Sequence, residues 1–470
     1  MPITPAGGVL AREVQDLAQQ NPFLCYSCKR CTSGCPLAAY MDLTPAQVLR
    51  SLQLGQDERV LRSKTVWLCA NCETCFTHCP QNIDLPRIMD ALKTIGQRRG
   101  IRPTLPEVAQ FYDLALQWMK LTGRVYELGV MGEYNLVRRE PLRDAGLGLR
   151  MLQTGKLKIL PQFGRYVPPK EHREQPVADA NRVAYFPGCS LHVTACEFDA
   201  SAREVSAALG LHLGEPKNWV CCGTGAAHSK SHYLGVLQAM KSLAMIEGSG
   251  EERVTVPCAA CYSRFKAALY DIRQDTSLRE SVDRELGYRY RDRLQVSHIL
   301  DTFSEQVGPE RIAAAVRKPL KGLRVVSYYG CLYTRPAQIT GAIHPENPTS
   351  MDAVLAALGA EVVPWSYKTA CCGASLMLTQ TDVALGLSQK ILDKAKEVEA
   401  DVVSVACSIC HMNLDGRQPQ IARAVGREYN LPVMYFTQLM GLAFGLEAKR
   451  LALEKHFIDP RPVLAGQGLI

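Results

Sequence analysis

The chain has 470 residues, enough for about three domains with real hydrophobic cores. Hydrophobic content of 47% and charged content of 21% exclude a disordered or collagen-like chain. The net charge of +8, from 54 basic and 46 acidic residues, is too small an excess at this length to argue for nucleic acid. Most of it sits between Leu85 and Arg165, where fourteen Lys/Arg face seven Asp/Glu.

In chain order, residues 1–95 hold eight cysteines in two dense groups with a helix between them. Thr44 is an N-cap with Pro45 at the first helical position, and Val48, Leu49 and Leu52 form an apolar face before Gly55. After the second group, Asp84 and Pro86 start another helix that buries Ile88, Met89, Leu92 and Ile95. Residues 96–167 contain no cysteine and read as a helical arm, with Val108, Phe111, Leu114, Trp118 and Leu121 at helical spacing. Pro168–Asn181 has linker composition, so 96–181 is read as arm plus linker.

The remainder repeats itself. RVAYFPGC at 182–189 matches RVVSYYGC at 324–331, WVCCGTGA at 219–226 matches TACCGASL at 369–376, and VTVPCAAC at 254–261 matches VVSVACSIC at 402–410. The duplicated units are placed at 182–318 and 319–470, the second with a C-terminal tail. Each runs short apolar strand, cysteine turn, amphipathic helix, as in Val183–Phe186, Cys189 and Phe198–Leu209. That alternation predicts an α/β layer with a mainly parallel sheet and functional loops at the strand carboxyl ends. Met1–Gln20 carries Arg12, Glu13 and Asp16 where a signal peptide needs an apolar run. The apolar stretch Leu431–Leu446, interrupted by Gln438, falls short of the roughly 20 residues of a spanning helix. The expected location is cytoplasmic, with no direct membrane span.

Nineteen cysteines, an odd number, do not pair off as disulfides, and in a reducing compartment such clusters mean metal or redox chemistry. Cys25, Cys28, Cys31 and Cys35–Pro36 follow C-x2-C-x2-C-x3-C-P, and so do Cys69, Cys72, Cys75 and Cys79–Pro80. This is the two-cluster ferredoxin run, in which the fourth cysteine serves the other cluster. The expected ligand sets are crossed: Cys25, Cys28, Cys31 with Cys79, and Cys69, Cys72, Cys75 with Cys35. Structural zinc would instead use paired C-x2-C units with four ligands per ion.

The duplicated block has a rarer pattern. One copy offers Cys189, Cys221–Cys222–Gly223 and Cys258-x-x-Cys261; the other offers Cys331, Cys371–Cys372–Gly373 and Cys407-x-x-Cys410. Five thiols from three loops exceed what zinc or an ordinary cube takes, which points to a larger cluster. The glycine after each pair is expected to let the backbone approach sulfide without a Cβ.

On these motifs residues 20–95 resemble the C subunit of heterodisulfide reductase, and residues 182–446 resemble its B subunit with two cysteine-rich CCG domains. The order is similar to a C–B fusion such as the D subunit of the membrane-associated enzyme. The fold class implied is α+β multidomain: a helical two-cluster ferredoxin-like domain followed by two duplicated α/β CCG domains. The resemblance implies two 4Fe–4S cubanes and two non-cubane 4Fe–4S clusters, with the ten CCG cysteines as catalytic ligands around a disulfide or thiol substrate. It also implies electron supply from a flavin-containing A-type subunit or a cytochrome b-type subunit, with no flavin or NAD on this chain.

Other readings stand beside this one. A relay subunit of a glycerol-3-phosphate, glycolate or lactate dehydrogenase has a similar ferredoxin head and CCG domains, and would pass electrons toward quinone. A zinc-stabilised scaffold is a third class. The C-x-x-C pairs also fit thioredoxin-like dithiols. Gly223-x-Gly225-x-x-His228 lacks the third glycine of a dinucleotide fingerprint. His192, His228 and His411 are candidate proton donors or local hydrogen-bonding groups. Lys230, Arg264, Arg335 and Lys368 are candidate contacts for an anionic substrate tail or solvated surface. Cys196, left over from both motif types, is expected to be a small buried hydrophobe.

Overall fold

The computed structural model describes residues 8–169 and 181–470. The linker expected at 168–181 falls largely outside these residues.

The N-terminal part is all helical. Thr44 caps the helix Pro45–Gln53: Gln47 Oε1 accepts the Thr44 N–H at 2.8 Å, and the next turns bury Val48, Leu49 and Leu52. The helix Leu85–Arg98 starts at Asp84, whose carboxylate accepts the Arg87 N–H at 2.9 Å. It buries Ile88, Met89, Leu92 and Ile95 against the helix Val9–Ala18 and Trp67. Truncating Ile88, which is fully buried, to alanine is a cavity-forming change of about 2–5 kcal/mol. In the arm the helix Pro106–Thr122 buries Val108, Ala109, Tyr112, Ala115 and Met119, while Leu121 faces solvent. The stripe read from the larger apolar residues was therefore rotated; small Ala109 and Ala115 mark the closely packed face.

The duplicated half forms two four-stranded parallel sheets with the same topology. The first contains β1 (Arg182–Tyr185), β2 (His212–Gly214), β3 (Arg253–Val256) and β4 (Gln295–His298), in spatial order β2-β1-β3-β4. The second contains β5 (Arg324–Tyr328), β6 (Glu361–Val362), β7 (Val402–Val405) and β8 (Val433–Tyr435), in order β6-β5-β7-β8. Ala184 pairs with Val254, and Val326 with Val403, in parallel register. The strands are short and apolar because helices cover the sheets, as parallel sheets require. Strand order reverses around β1 and around β5, which opens a crevice at their carboxyl ends.

The two units do not keep separate cores. One continuous apolar cluster runs from Phe186 and Trp219 through Phe303 to Tyr328, Val403 and Phe436. Phe198, from the first unit, stacks on Tyr435 of the second with ring centroids 4.1 Å apart. The helix Cys196–Ala208 packs on the helix Phe436–Ala443. Among the described residues no helix is long and apolar enough to cross a membrane.

Candidate metal centres

The two cysteine runs of the N-terminal part have matching backbones. Ser27 and Lys29 in the first, and Asn71 and Glu73 in the second, all have positive φ between 50° and 63°. These left-handed residues curl each run so that its thiols converge, and a one-turn helix follows in each (Arg30–Ser33 and Thr74–Thr77). The last thiol of each run lies near the other run. Cys79 lies close enough to Cys31 to disfavour its ionisation, as Cys25 and Cys28 do, and burial with these neighbours pushes Cys31 up to about 11. Cys35 lies beside Cys72 and Cys75; burial, then Cys72, pushes it up to about 11. Backbone N–H groups point at sulfur, from Ser27 to Cys25 and from Ile83 to Cys79, both at 3.4 Å.

In the duplicated half every motif cysteine lies in the segment that follows one of the first three strands of its unit. Cys189, Cys221–Cys222 and Cys258 follow β1, β2 and β3; Cys331, Cys371–Cys372 and Cys407 follow β5, β6 and β7. The strand order therefore gathers three loops into one crevice per unit, and thiol contacts run in the same sequence in both. Cys189 touches Cys221, Cys221 touches Cys222, Cys222 Sγ donates to Cys261 Sγ at 3.2 Å, and Cys261 touches Cys258. Cys331 touches Cys371, Cys371 neighbours Cys372, Cys372 Sγ donates to Cys410 Sγ at 3.6 Å, and Cys410 touches Cys407. Neighbouring thiols, then burial, hold Cys221, Cys261, Cys371 and Cys410 far above the ordinary thiol range.

These donor sets fit iron–sulfur clusters. Each centre is built on cysteine sulfur, backbone N–H groups are aimed at it, and the backbone is pared away beside it. Gly188 and Gly330, one residue before Cys189 and Cys331, have φ of 71° and 73°. A Cβ on either would lie 2.9 Å from the Sγ of Cys261 or Cys410. These are the glycines that let backbone approach sulfur. Gly223 and Gly373, expected in that role, act differently. Their N–H groups point at Cys221 Sγ and Cys371 Sγ at 3.4 Å. A Cβ there would meet Ala227 at 2.8 Å, or the Ala384 backbone at 2.9 Å, so they admit the following helix.

The centres are packed against one another. The Cys72 thiol of the N-terminal part contacts Cys371 of the second unit. The two five-thiol sets meet where Ser190, after Cys189, hydrogen-bonds Ser408, after Cys407, at 2.9 Å; Ser408 also contacts the Cys258 thiol. A mostly apolar cavity of about 240 Å³ is lined by all five thiols of the second set, by Ala259 and Ala260 between Cys258 and Cys261, and by Arg264.

The other candidates divide. His192 is held between Gln162 at 2.8 Å and Glu215 at 3.0 Å. His228 binds Asp90 at 2.7 Å, and burial lowers its pKa. Asp90 also accepts from Lys93 at 2.9 Å and Asn71 at 3.0 Å, joining the second run to the first CCG-type unit. His411 is buried against the Val433 carbonyl at 2.9 Å. Lys230 pairs with Asp113, and Lys368 with Asp352 and the Pro348 carbonyl. Arg335 is buried, forks onto Glu346, and donates to Thr369 and Thr74. Only Arg264 among the four cations faces the cavity. Cys196 is half-buried and accepts from the Lys455 ammonium at 3.2 Å, a more polar setting than expected.

Sequence reading missed Ser190, Ser408, His298 and Asn413. His298 is fully buried; its Nε2 donates to the carbonyl of Pro257, just before Cys258, at 3.0 Å. Asn413 donates to Cys372 Sγ at 3.7 Å. The position of Ser190 and Ser408 directly after a motif cysteine was the one local signal for them.

The fold and donor sets define an iron–sulfur protein of the cysteine-rich-domain class. The Cysteine-rich domain family matches residues 183–266 and 325–415, and the 4Fe-4S dicluster domain family matches residues 24–83. The chain is 30% identical over 279 residues to the 8-methylmenaquinol:fumarate reductase membrane anchor subunit of Wolinella succinogenes, covering 59% of this chain and 96% of that one. It is 27% identical over 253 residues to the B subunit of the ferredoxin/F(420)H(2)-dependent CoB-CoM heterodisulfide reductase of Methanosarcina acetivorans, covering 52% and 83%. Over 76 residues it is 36% identical to an iron-sulfur C subunit of the CoB–CoM heterodisulfide reductase of Methanocaldococcus jannaschii, covering 16% and 40%. The chain belongs to the heterodisulfide reductase family of iron–sulfur subunits, as a fusion of the C-type and B-type parts.

Proposed function

We propose that this chain is the catalytic iron–sulfur subunit of a heterodisulfide-reductase-like complex that reduces, or in reverse forms, a disulfide. Cys25, Cys28, Cys31 and Cys79 would hold one 4Fe–4S cubane, and Cys69, Cys72, Cys75 and Cys35 the other. Cys189, Cys221, Cys222, Cys258 and Cys261, and Cys331, Cys371, Cys372, Cys407 and Cys410, would each hold a non-cubane 4Fe–4S cluster. When bound, these clusters supply single electrons and soft sites for sulfur. The observation that carries the reading is the juxtaposition of the two five-thiol sets across Ser190 and Ser408, beside a cavity lined by the second set's thiols and by Ala259 and Ala260 of the first unit.

Splitting a disulfide consumes two electrons and yields two thiolates, so two adjoining one-electron centres match its stoichiometry. The Cys72–Cys371 contact supports electron entry through the second set. Apolar walls exclude water, and Arg264 places a positive charge at the cavity edge, where thiolate develops. A flavin-containing A-type subunit or a cytochrome b-type subunit would be the donor. In the anaerobically purified complex, Cys371→Ala should abolish disulfide reduction while the ferredoxin-type signals persist. Unchanged turnover would refute the assignment.

A second reading, electron relay between a flavoprotein reductase and the quinone pool, is favoured by the likeness to a subunit of an 8-methylmenaquinol:fumarate reductase. It predicts quinol-dependent reduction of the iron–sulfur centres and no disulfide turnover.

A further inference from the structure

The described residues expose eighteen large apolar side chains, and ten of them fall within 121–167, about a tenth of the chain. Leu142, at the rim of a cleft against the second unit, is 81% exposed, and Leu160 is 77%, Ile159 70%, Phe163 69%, Leu136 68% and Leu149 58%. The stretch is pinned into one body. The Asn135 side chain donates to the Arg143 carbonyl at 3.1 Å, Gly164 N–H donates to the Thr122 carbonyl at 2.8 Å, and the Tyr126 hydroxyl donates to the Ile159 carbonyl. Around these side chains the exposed ionic residues are Arg139, Arg150, Lys158 and Arg165 against one acid, Glu140.

We propose that this arm is a membrane-docking surface that lays its apolar side chains into the interface of an anionic lipid bilayer. Ten exposed large apolar side chains on so short a stretch mark an interaction site. Its chemistry favours lipid over protein. Protein interfaces are enriched in tyrosine and tryptophan, yet Tyr134 is buried, the half-buried Tyr126 and Tyr166 spend their hydroxyls on the Ile159 and Leu286 carbonyls, and the stretch has no tryptophan. Protruding leucine, isoleucine and phenylalanine beside a basic fringe are what an interfacial, non-spanning contact with anionic headgroups requires. The surface excludes the motif cysteines, so it stands whichever redox partner or substrate is correct.

The test is co-sedimentation of the anaerobically purified full chain with vesicles of phosphatidylcholine alone or mixed with phosphatidylglycerol. The expected result is binding to the mixed vesicles, about tenfold weaker on phosphatidylcholine alone and weakened by salt. Leu142→Asp combined with Leu160→Asp should cut binding about tenfold, with iron content unchanged. If that variant misfolds, Arg139→Glu with Lys158→Glu tests the charge arm alone, and should remove the preference for phosphatidylglycerol. Absence of wild-type binding, or binding unaffected by these changes, would overturn the proposal. So would loss of a copurifying subunit from the variants with no vesicle binding by the wild type, which would make the arm a protein interface.

Discussion

Gly330 shows how a single position serves the site. Its φ of 73° disfavours any side chain, and an added Cβ would lie 2.9 Å from Cys410 Sγ. Gly330→Ala should therefore strain the β5–Cys331 turn by about 1–3 kcal/mol. Iron analysis should show loss of iron from the second set, with the ferredoxin-type signals unchanged; full iron content would show that the turn relaxes. His298 offers a pH test. Burial lowers its pKa to about 3, below the unfolded value of about 6.5. Between these values the unfolded chain binds a proton that the folded chain refuses, so the stability His298 contributes is complete above pH 6.5 and is lost as pH falls toward 3. The stability advantage of wild type over His298→Gln should shrink by about 1.4 kcal/mol per pH unit through that window. Comparing the two holo-proteins by denaturant unfolding cancels shared cluster effects; a difference independent of pH would mean that His298 is charged in the fold.

At the scale of elements, local patterns and long-range contacts separate cleanly. The capped helices Pro45–Gln53 and Leu85–Arg98 and the strand–cysteine–helix units were legible because caps, periodicity and thiol spacing lie within a few residues. The role of Gly188, the buried setting of His298 and the tie from Arg335 to Thr74 were not, since each depends on partners dozens to hundreds of residues away. Arg335 was read as a surface or substrate-binding cation. Instead it is anchored within the second unit on the Thr369 carbonyl at 2.8 Å and joins that unit to the turn after Cys72 through Thr74 at 2.9 Å. Arg335→Lys keeps the charge and loses the fork. Limited proteolysis should find the 69–80 segment more accessible, and unfolding should cost about 1–3 kcal/mol less, as for hydrogen bonds from a charged donor. An unchanged digestion pattern would mean that the Cys72–Cys371 packing alone holds the parts together.

For the whole molecule, duplication is the organising fact. Two copies of one parallel sheet aim their cysteine loops at a shared boundary, and the fused cores leave little freedom for the copies to move apart. The helical N-terminal part is set against that boundary by Cys72, Asp90 and Arg335, so that all four thiol groups form one connected array. The charge also changes meaning: four thiolate-ligated clusters would take the chain from +8 to roughly −2, leaving the basic arm as a local feature. The account stands or falls on the number and kind of clusters. Iron analysis with Mössbauer spectroscopy of the anaerobically isolated chain measures both. The account predicts about sixteen irons per chain, half in ferredoxin-type cubanes and half in a second environment that Cys371→Ala diminishes. About eight irons, all of cubane type and indifferent to that substitution, would contradict it.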